Sequence, residues 1–212
     1  MAQAQPRALF YVDGFNLYHA LHELNQPRLK WLSLHALAQK LIPSRSESLV
    51  GVVYFSAYAS HRAAKNPAQF ARHQTYVRAL KATSVECVMG RFKMNPVRCF
   101  NCGSAWQKPE EKETDVAIAT HMVRDAFRDR FDVCYLLSGD TDLVPALRII
   151  RTEFPKKELV SLSAPNRPHS AEILRIATRK VKVTPYVVSQ CLLPATLSTA
   201  DGTTITRPAE YD

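Results

Sequence analysis

The segment Ala8-Leu-Phe-Tyr-Val-Asp-Gly-Phe-Asn16 begins with an apolar, β-prone run that stops abruptly at an aspartate. Asp13-Gly14 is a turn signal, and Leu17, Leu21 and Leu24 follow it at helical spacing. This order predicts a buried strand, a tight turn and a helix. A polar side chain at the turn would therefore lie at the end of the first strand.

The same alternation of strands and helices continues along the chain. We predict further strands at residues 49–58, 85–89, 133–137, 158–162 and 181–183, and helices at 33–41, from Pro67, from Thr114, at 142–151 and at 170–178. Continuous apolar strands separated by helices are typical of a mostly parallel sheet that is covered on both faces. The sequence thus predicts one three-layer α/β/α domain over residues 1–183.

Two segments depart from this alternation. Residues 90–110 lose any periodicity and contain two prolines and a cysteine pair, so we predict a cysteine-containing loop insertion there. Residues 184–212 form a C-terminal extension. Its Ala200-Asp-Gly-Thr203 stretch suits either a small hairpin or a mobile tail.

The composition limits the class of protein. With 212 residues and 46% hydrophobic residues, the chain can bury a core and is not mainly disordered. No uncharged apolar segment reaches the roughly 18 residues that span a bilayer, and the N-terminus has no signal-peptide pattern. Five cysteines, an odd number, suit a reducing compartment. We expect a cytoplasmic protein with no membrane partner.

The charge is unevenly distributed. The net charge is +9, and residues 62–109 and 148–182 hold nine Lys or Arg each, against one and three acids. Residues 110–142 reverse the sign, with nine acids against four bases. Basic stretches favour a polyanionic partner. Within the acidic segment, we interpret Asp125, Asp129 and Asp132 as solvated helix residues.

Four other aspartates are predicted to meet at one edge of the sheet. Asp13 follows the first strand, Asp140 and Asp142 follow the fourth, and Asp115 lies in the first turn of the preceding helix. Any one of them could simply cap a helix. Four together would repel by roughly 4 kcal/mol per pair at about 4 Å and an effective dielectric of 20, which calls for a cation. Oxygen ligands alone favour Mg²⁺ or Mn²⁺.

Further polar residues are placed to assist this site. Asn16 lies one helical turn after Asp13 and could orient a water or a phosphate oxygen. The candidates for substrate contacts are Ser138, Thr141, Lys112, Asn166 and Arg167. Alternatively, the hydroxyls of Ser138 and Thr141 form local hydrogen bonds with the backbone, and Lys112 is simply solvated.

Cys99-Phe-Asn-Cys-Gly103 has the spacing of one half of a structural zinc site. Cys87 is a third thiol that could approach if residues 87–102 form a hairpin, although its apolar surroundings favour burial. The alternatives are a zinc ion shared between two copies of the chain and a reduced, metal-free pair.

Three segments together resemble a known family. Tyr11-Val-Asp-Gly-Phe-Asn16, Lys112-Glu-Thr-Asp-Val116 and Leu137-Ser-Gly-Asp-Thr-Asp142 are similar to the three motifs of the NYN domain, in the LabA/DUF88 group of the PIN-like nuclease superfamily. The resemblance implies a Rossmann-like fold and a metal-dependent ribonuclease site. It assigns the acidic positions to Asp13, Asp115, Asp140 and Asp142, and the associated asparagine to Asn16.

The resulting hypothesis is Mg²⁺- or Mn²⁺-dependent hydrolysis of single-stranded or structured RNA. One alternative is a catalytically silent RNA-binding or regulatory module of the same fold. Another is a small-molecule phosphohydrolase, although Asp13-Gly-Phe lacks the second acid of an Asp-x-Asp nucleophile. A homo-oligomer is left open.

Overall fold

The computed structural model describes residues 4–43, 45–63, 65–199 and 201–212. Residues 1–3, at the N-terminus that lacks a signal-peptide pattern, lie outside the described residues, and so does Ala200 of the predicted hairpin turn. The strands are β1 (Arg7–Asp13), β2 (Ser48–Ala57), β3 (Glu86–Arg98), β4 (Ala105–Lys112), β5 (Val133–Leu137), β6 (Glu158–Ser163), β7 (Arg179–Lys182), β8 (Thr196–Ser198) and β9 (Thr204–Thr206).

The first seven strands form one sheet in the order β4-β3-β2-β1-β5-β6-β7. Every neighbouring pair is parallel except β3 with β4. The helices are α1 (Gly14–Glu23), α2 (Leu34–Leu41), α3 (Pro67–Ala82), α4 (Thr114–Phe127), α5 (Val144–Glu153), α6 (Ala171–Leu174) and α7 (Pro185–Ser189). None of the helices in the described ranges is long and apolar enough to cross a membrane.

The central strand β1 is buried on both faces, which explains its continuous apolar run. Phe10 and Val12 pack into the cluster that contains α1, α2 and α3, whereas Leu9 and Tyr11 pack into the cluster that contains α4 and α5. A parallel sheet between two helical layers requires apolar side chains on both faces of its strands. The predicted three-layer α/β/α architecture is confirmed.

Residues 90–110 are not the irregular loop that the sequence predicts. β3 continues past its parallel pairing with β2 and forms an antiparallel hairpin with β4, in register from Arg91 opposite Lys112 to Arg98 opposite Ala105. The prediction was wrong because exposed strands that pair with each other show little periodicity, and because neither proline ends a strand here. Pro96 and Pro109 are accommodated here because the hairpin forms an edge of the sheet, where a missing N–H leaves no central ladder bond unmade.

The C-terminal extension packs onto the layer of α1, α2 and α3. It contains α7 and the antiparallel pair β8 and β9. Ile205 and Tyr211 are buried in the main core cluster. The Trp31 Nε1–H donates to the carbonyl oxygen of Pro194 over 2.9 Å, which ties the extension to the turn before α2.

The interpretation of Asp125 as a solvated residue was wrong. Its side chain is fully buried and accepts a hydrogen bond of 2.9 Å from the Tyr11 hydroxyl on β1. Arg124 and Arg130 pair with its other oxygen at 2.9 Å and 3.2 Å. A buried carboxylate is tolerated only when it is paired in this way.

Candidate metal centre and adjoining cavities

Three of the predicted aspartates meet at the carboxyl edge of the sheet. Asp115 comes from the first turn of α4, while Asp140 and Asp142 come from the segment that follows β5. One carboxylate oxygen of each lies within 4.8 Å of the other two. Asp115 and Asp140 are half-buried and Asp142 is exposed, so the group opens to solvent on one side.

The chain after β5 turns sharply through local hydrogen bonds. The Asp142 backbone N–H donates to Asp140 Oδ1 over 2.9 Å, and the Asp140 N–H donates to Ser138 Oγ over 3.1 Å. These bonds begin the single 3-10 turn Thr141–Leu143 that leads into α5. Aspartate and serine favour such turns because their side chains accept from the backbone two residues on.

Asp13, the fourth predicted metal ligand, lies beside this group, outside the set whose oxygens come within 4.8 Å of one another. It is 3% exposed, and its Oδ1 accepts from the backbone N–H groups of Phe15 and Asn16, each at 3.0 Å. Its Oδ2 accepts from Asn16 Nδ2 at 2.8 Å and from the Ser138 hydroxyl at 2.9 Å. These bonds use the roughly four acceptor sites of a carboxylate. Asp13 therefore caps α1 and fixes the ends of β1 and β5 to each other.

Asn16 completes this connection. Its side-chain carbonyl oxygen accepts from the Gly139 backbone N–H at 3.3 Å, while its amide group donates to Asp13. Gly14, between the two, is required because an added Cβ would lie 2.6 Å from the Phe55 carbonyl oxygen. The motif that begins at Asp13 is thus a rigid bridge between two neighbouring strand ends.

Uncompensated negative charge marks the three-aspartate group. Burial, followed by the charges of Asp140 and Asp13, raises the pKa of Asp115 to about 6. Among the described residues, no ion pair includes Asp115, Asp140 or Asp142. The arrangement is that of carboxylates held together without a protein cation, in which a divalent cation can serve as the missing partner.

Sequence reasoning missed Glu111. Its side chain accepts a hydrogen bond of 3.2 Å from the Thr114 N–H at the start of α4, and it adds to the charges that raise the pKa of Asp115. Glu113, which lies between Glu111 and Thr114 in the chain, adopts a left-handed conformation with φ of 82°. The signal that could have revealed Glu111 is an acid three residues before the first helical residue.

A cleft of about 420 Å³ adjoins Asp140. Among the predicted substrate residues, Ser138 and Arg167 line this cleft together with Asn16. Arg167 also pairs with Glu23 on α1. In this cleft, Asp140 of the acidic edge and Arg167, which is predicted to contact the substrate, lie on a common surface.

The other predicted substrate residues lie outside the lining of that cleft. Thr141 is exposed at the start of the 3-10 turn. Asn166 has a positive φ of 56° in the turn after β6. Lys112 pairs with Glu110 at 2.6 Å on β4.

A second, larger cavity of about 500 Å³ lies between α1, α3 and the β3–β4 hairpin, and we call it the aromatic cavity. Phe15 and His19 line both the aromatic cavity and the cleft beside Asp140. Its other Phe and Tyr lining side chains are Tyr18, Tyr54, Phe70, Tyr76, Phe92 and Tyr211.

The cysteines are too far apart for a zinc site built from Cys87, Cys99 and Cys102. Cys87 lies beside Tyr54 of β2, whereas Cys99 and Cys102 are at the tip of the hairpin. Cys99 lies twelve positions after Cys87 along an extended strand, a span of about 40 Å. The hairpin does form, but it does not bring Cys87 to the pair, because the pair lies at its tip and Cys87 at its base.

Comparison with known proteins shows which family this chain resembles. The NYN domain family model matches residues 7–183. A curated relative is the 6-hydroxy-3-succinoylpyridine 3-monooxygenase HspA of Pseudomonas putida, which is 27% identical over 223 residues, covering 89% of this chain and 70% of that protein.

Among solved structures, a protein of unknown function from Vibrio parahaemolyticus, VPA0982, superposes with a TM-score of 0.57 at 16% identity. The match covers 91% of this chain and 99% of that one, and at this identity it supports the fold alone. The matched family region contains β1 to β7 and all the aspartates described above. The chain therefore belongs to the NYN domain family of the PIN-like superfamily.

Proposed function

We propose that this chain is a divalent-metal-dependent ribonuclease that hydrolyses RNA phosphodiester bonds where Asp115, Asp140 and Asp142 meet. The observation that carries the proposal is the convergence of these carboxylates within 4.8 Å. Membership of the NYN family, with its PIN-like nuclease fold, supports a hydrolase of this type.

The donor set suits a hard divalent cation. It consists of carboxylate oxygens alone, a set that favours Mg²⁺ or Mn²⁺ over zinc. Asp115, Asp140 and Asp142 would hold the ion, with Asp13 keeping their supporting loops fixed. When bound, such an ion lowers the pKa of a water and neutralises charge on the phosphate.

The chain itself orients the site and the substrate. Asp13 and Asn16 join the end of β1 to the loop after β5, so both act as positioning residues. Arg167 supplies a cation in the cleft beside Asp140. Its exposed ion pair with Glu23 is worth at most about 1 kcal/mol, so an RNA phosphate can replace the carboxylate as its partner.

We assign supporting contacts with phosphate oxygens to Thr141, Asn166 and Lys112, whereas the buried Ser138 hydroxyl already donates to Asp13 and acts as a positioning group. Ser138 and Thr141 flank Asp140, and Asn166 precedes Arg167. Lys112 can exchange its partner Glu110 in the same way as Arg167 exchanges Glu23. Contacts of this kind give affinity that is independent of sequence and falls steeply with salt.

Cleavage of labelled RNA tests the proposal. Wild-type protein is incubated with single-stranded and hairpin RNAs in Mn²⁺, Mg²⁺ or EDTA. We expect metal-dependent cleavage that Asp140→Asn reduces by about 100-fold or more, because the variant keeps the hydrogen-bonding oxygen but loses the charge. Glu172→Gln, an exposed acid on α6, is the matched control and should cleave normally.

Two results would overturn the assignment. Undiminished metal-dependent cleavage by Asp140→Asn would refute the site. Tight RNA binding by wild-type protein without cleavage under any metal condition would favour the catalytically silent RNA-binding module instead.

The similarity to HspA favours a second candidate function, monooxygenation of a pyridine derivative. A cavity of about 500 Å³ lined by aromatic side chains is large enough for such a substrate. Such a reaction would transfer one oxygen atom of dioxygen to the substrate and reduce the other to water, and it needs two electrons and two protons, supplied by a reduced nicotinamide and the solvent. Oxygen uptake that depends on both 6-hydroxy-3-succinoylpyridine and NADH would support this candidate, and its absence would exclude it.

A further inference from the structure

We propose that the aromatic cavity binds a planar nitrogen heteroaromatic ring, and that this ring is the base of an RNA nucleotide whose phosphate lies at the three-aspartate group. This inference rests on the proposed ribonuclease function and gives it a substrate class, RNA with an unpaired base at the site of cleavage. A paired base is stacked within a helix and cannot enter a cavity unless it is extruded.

The aromatic cavity offers rings to stack on. Phe92 of the hairpin has its ring centroid 4.6 Å from that of His61 and 6.0 Å from that of Phe15, which it meets edge-on. All three side chains line the cavity and none is fully buried. Aromatic side chains at the surface of a nucleic-acid site bind bases through their faces without strong sequence preference.

The polar groups of the cavity suit the edge of a base. The buried Nδ1 of His61 has no hydrogen-bond partner among the described residues. Burial lowers the pKa of His73 to about 4, so this imidazole is neutral at physiological pH; its Nε2 pairs with Ser56 Oγ at 3.4 Å, which leaves the other ring nitrogen for a ligand. A neutral imidazole carries one donor and one acceptor, which matches the mixed donors and acceptors of a nucleobase edge.

The aromatic cavity and the acidic group are close enough to serve one nucleotide. Phe15 and His19 line both the cavity and the cleft beside Asp140. Glu111 also lines the cavity and is hydrogen-bonded to the N-terminus of α4, one residue before Asp115. A base in the cavity therefore leaves its own phosphate near the aspartates.

The surrounding charge favours an anionic ligand, and an RNA nucleotide is one. Arg62 lines the cavity, is exposed, and forms no ion pair within the described ranges. Arg72 lines the cavity as well, paired at 2.6 Å with Glu210 of the C-terminal extension. An uncharged small molecule would not use these cations, whereas a phosphate or a carboxylate would pair with them.

One wall of the cavity comes from outside the matched family region. Glu210 and Tyr211 both line it, and they follow residue 183, where the family match ends. The C-terminal extension therefore has a function in this inference: it closes a base site that residues 7–183 alone would leave open on one side.

Equilibrium binding in EDTA tests the inference without cleavage. Fluorescence anisotropy measures the affinity of a short single-stranded RNA and of the same RNA carrying one abasic nucleotide at successive positions. We expect one position at which the missing base weakens wild-type binding by about 5- to 100-fold. Phe92→Ala should weaken the binding of the intact RNA to the same degree. It should cause little further loss of affinity for the RNA that is abasic at that position.

Two further variants keep the test decisive. Phe127→Ala removes an aromatic residue of 62% exposure at the far end of α4, and it should bind like wild type. His61→Ala keeps Phe92 and should show the same pattern as Phe92→Ala at a smaller magnitude. It thus replaces Phe92→Ala if that variant unfolds, which circular dichroism would reveal.

The outcomes separate this inference from the ribonuclease proposal and from a small-molecule site. An abasic position that matters, in a protein that never cleaves RNA, supports the base site and refutes only the catalysis. Equal effects of abasic substitution in wild type and Phe92→Ala overturn the inference. If 6-hydroxy-3-succinoylpyridine binds wild type but not Phe92→Ala, while no abasic position matters, the ring comes from a free molecule and RNA is excluded as its source.

Discussion

Replacing Asp115 by asparagine should stabilise the metal-free protein at neutral pH. The folded-state pKa of Asp115, about 6, is above the value of about 4 expected in the unfolded chain. Its contribution to stability is therefore fully present below about pH 4 and is lost as the pH rises through 6. Asparagine carries no charge, so the variant avoids this loss.

The magnitude follows from the separation of the carboxylates. Two charges at 4.8 Å repel by about 0.9 kcal/mol in water and by about 3.5 kcal/mol at an effective dielectric of 20. Because the group opens to solvent, we expect a net gain near the lower end, about 1–2 kcal/mol. For a domain of this size, that gain raises the melting temperature by about 2–8 °C.

Thermal unfolding followed by circular dichroism measures the effect. With EDTA, Asp115→Asn should melt above wild type at pH 7.5 and match it at pH 4. With Mn²⁺ at 100 times its dissociation constant, wild type should gain about 2.7 kcal/mol and the variant much less. Glu172→Gln controls for the loss of one negative charge elsewhere. A difference between Asp115→Asn and wild type that does not change with pH would refute the electrostatic argument.

Other predictions concern the fold and the hairpin tip. Gly14→Ala places a Cβ 2.6 Å from a backbone carbonyl oxygen and from a buried tyrosine ring, so it should destabilise the protein by about 1–3 kcal/mol in urea unfolding; an unchanged midpoint would contradict the close approach. Tyr11→Phe leaves one oxygen of buried Asp125 without its donor and should cost about 1–3 kcal/mol, measured in the same way. A zinc ion held by Cys99 and Cys102 needs two more ligands, and the only group of three or more His, Cys, Asp or Glu side chains close enough to hold a metal in the described residues is the acidic one. If this pair holds zinc, a second copy of the chain must supply the other ligands, and metal analysis should then give half a zinc ion per chain and an EDTA-sensitive dimer that the double serine variant loses. A protein without zinc would support the reduced, metal-free pair, and one zinc per monomer would exclude sharing.

Much of the fold could be predicted because its signals are local. Apolar strands buried on both faces and amphipathic helices follow from the pattern of residues alone, as at β1, β5 and α4. The positions of Asp115 and Asp140 were also accessible, because parallel strands end at a common edge. The hairpin of β3 and β4 was not, since its exposed strands have weak periodicity and gain their order from pairing with each other.

The tertiary structure also changed the role of individual acids. Asp13 looks like the other site aspartates in sequence, but the hydroxyl of Ser138, 125 residues away, helps to use its acceptor sites. Asp125 looks like a solvated helix residue until the hydroxyl of Tyr11, 114 residues earlier, is placed beside it. Both distinctions depend on hydrogen bonds between elements that are distant in the chain.

The sequence by itself therefore determined the family, the three-layer fold and the edge at which the acids gather, because each depends on residues within one strand, turn or helix. The tertiary structure alone decided which three carboxylates come within 4.8 Å, and that the hairpin and the C-terminal extension form an aromatic cavity beside them. Distances between carboxylates and the walls of a cavity depend on how separate elements pack, and no local pattern of residues encodes that packing.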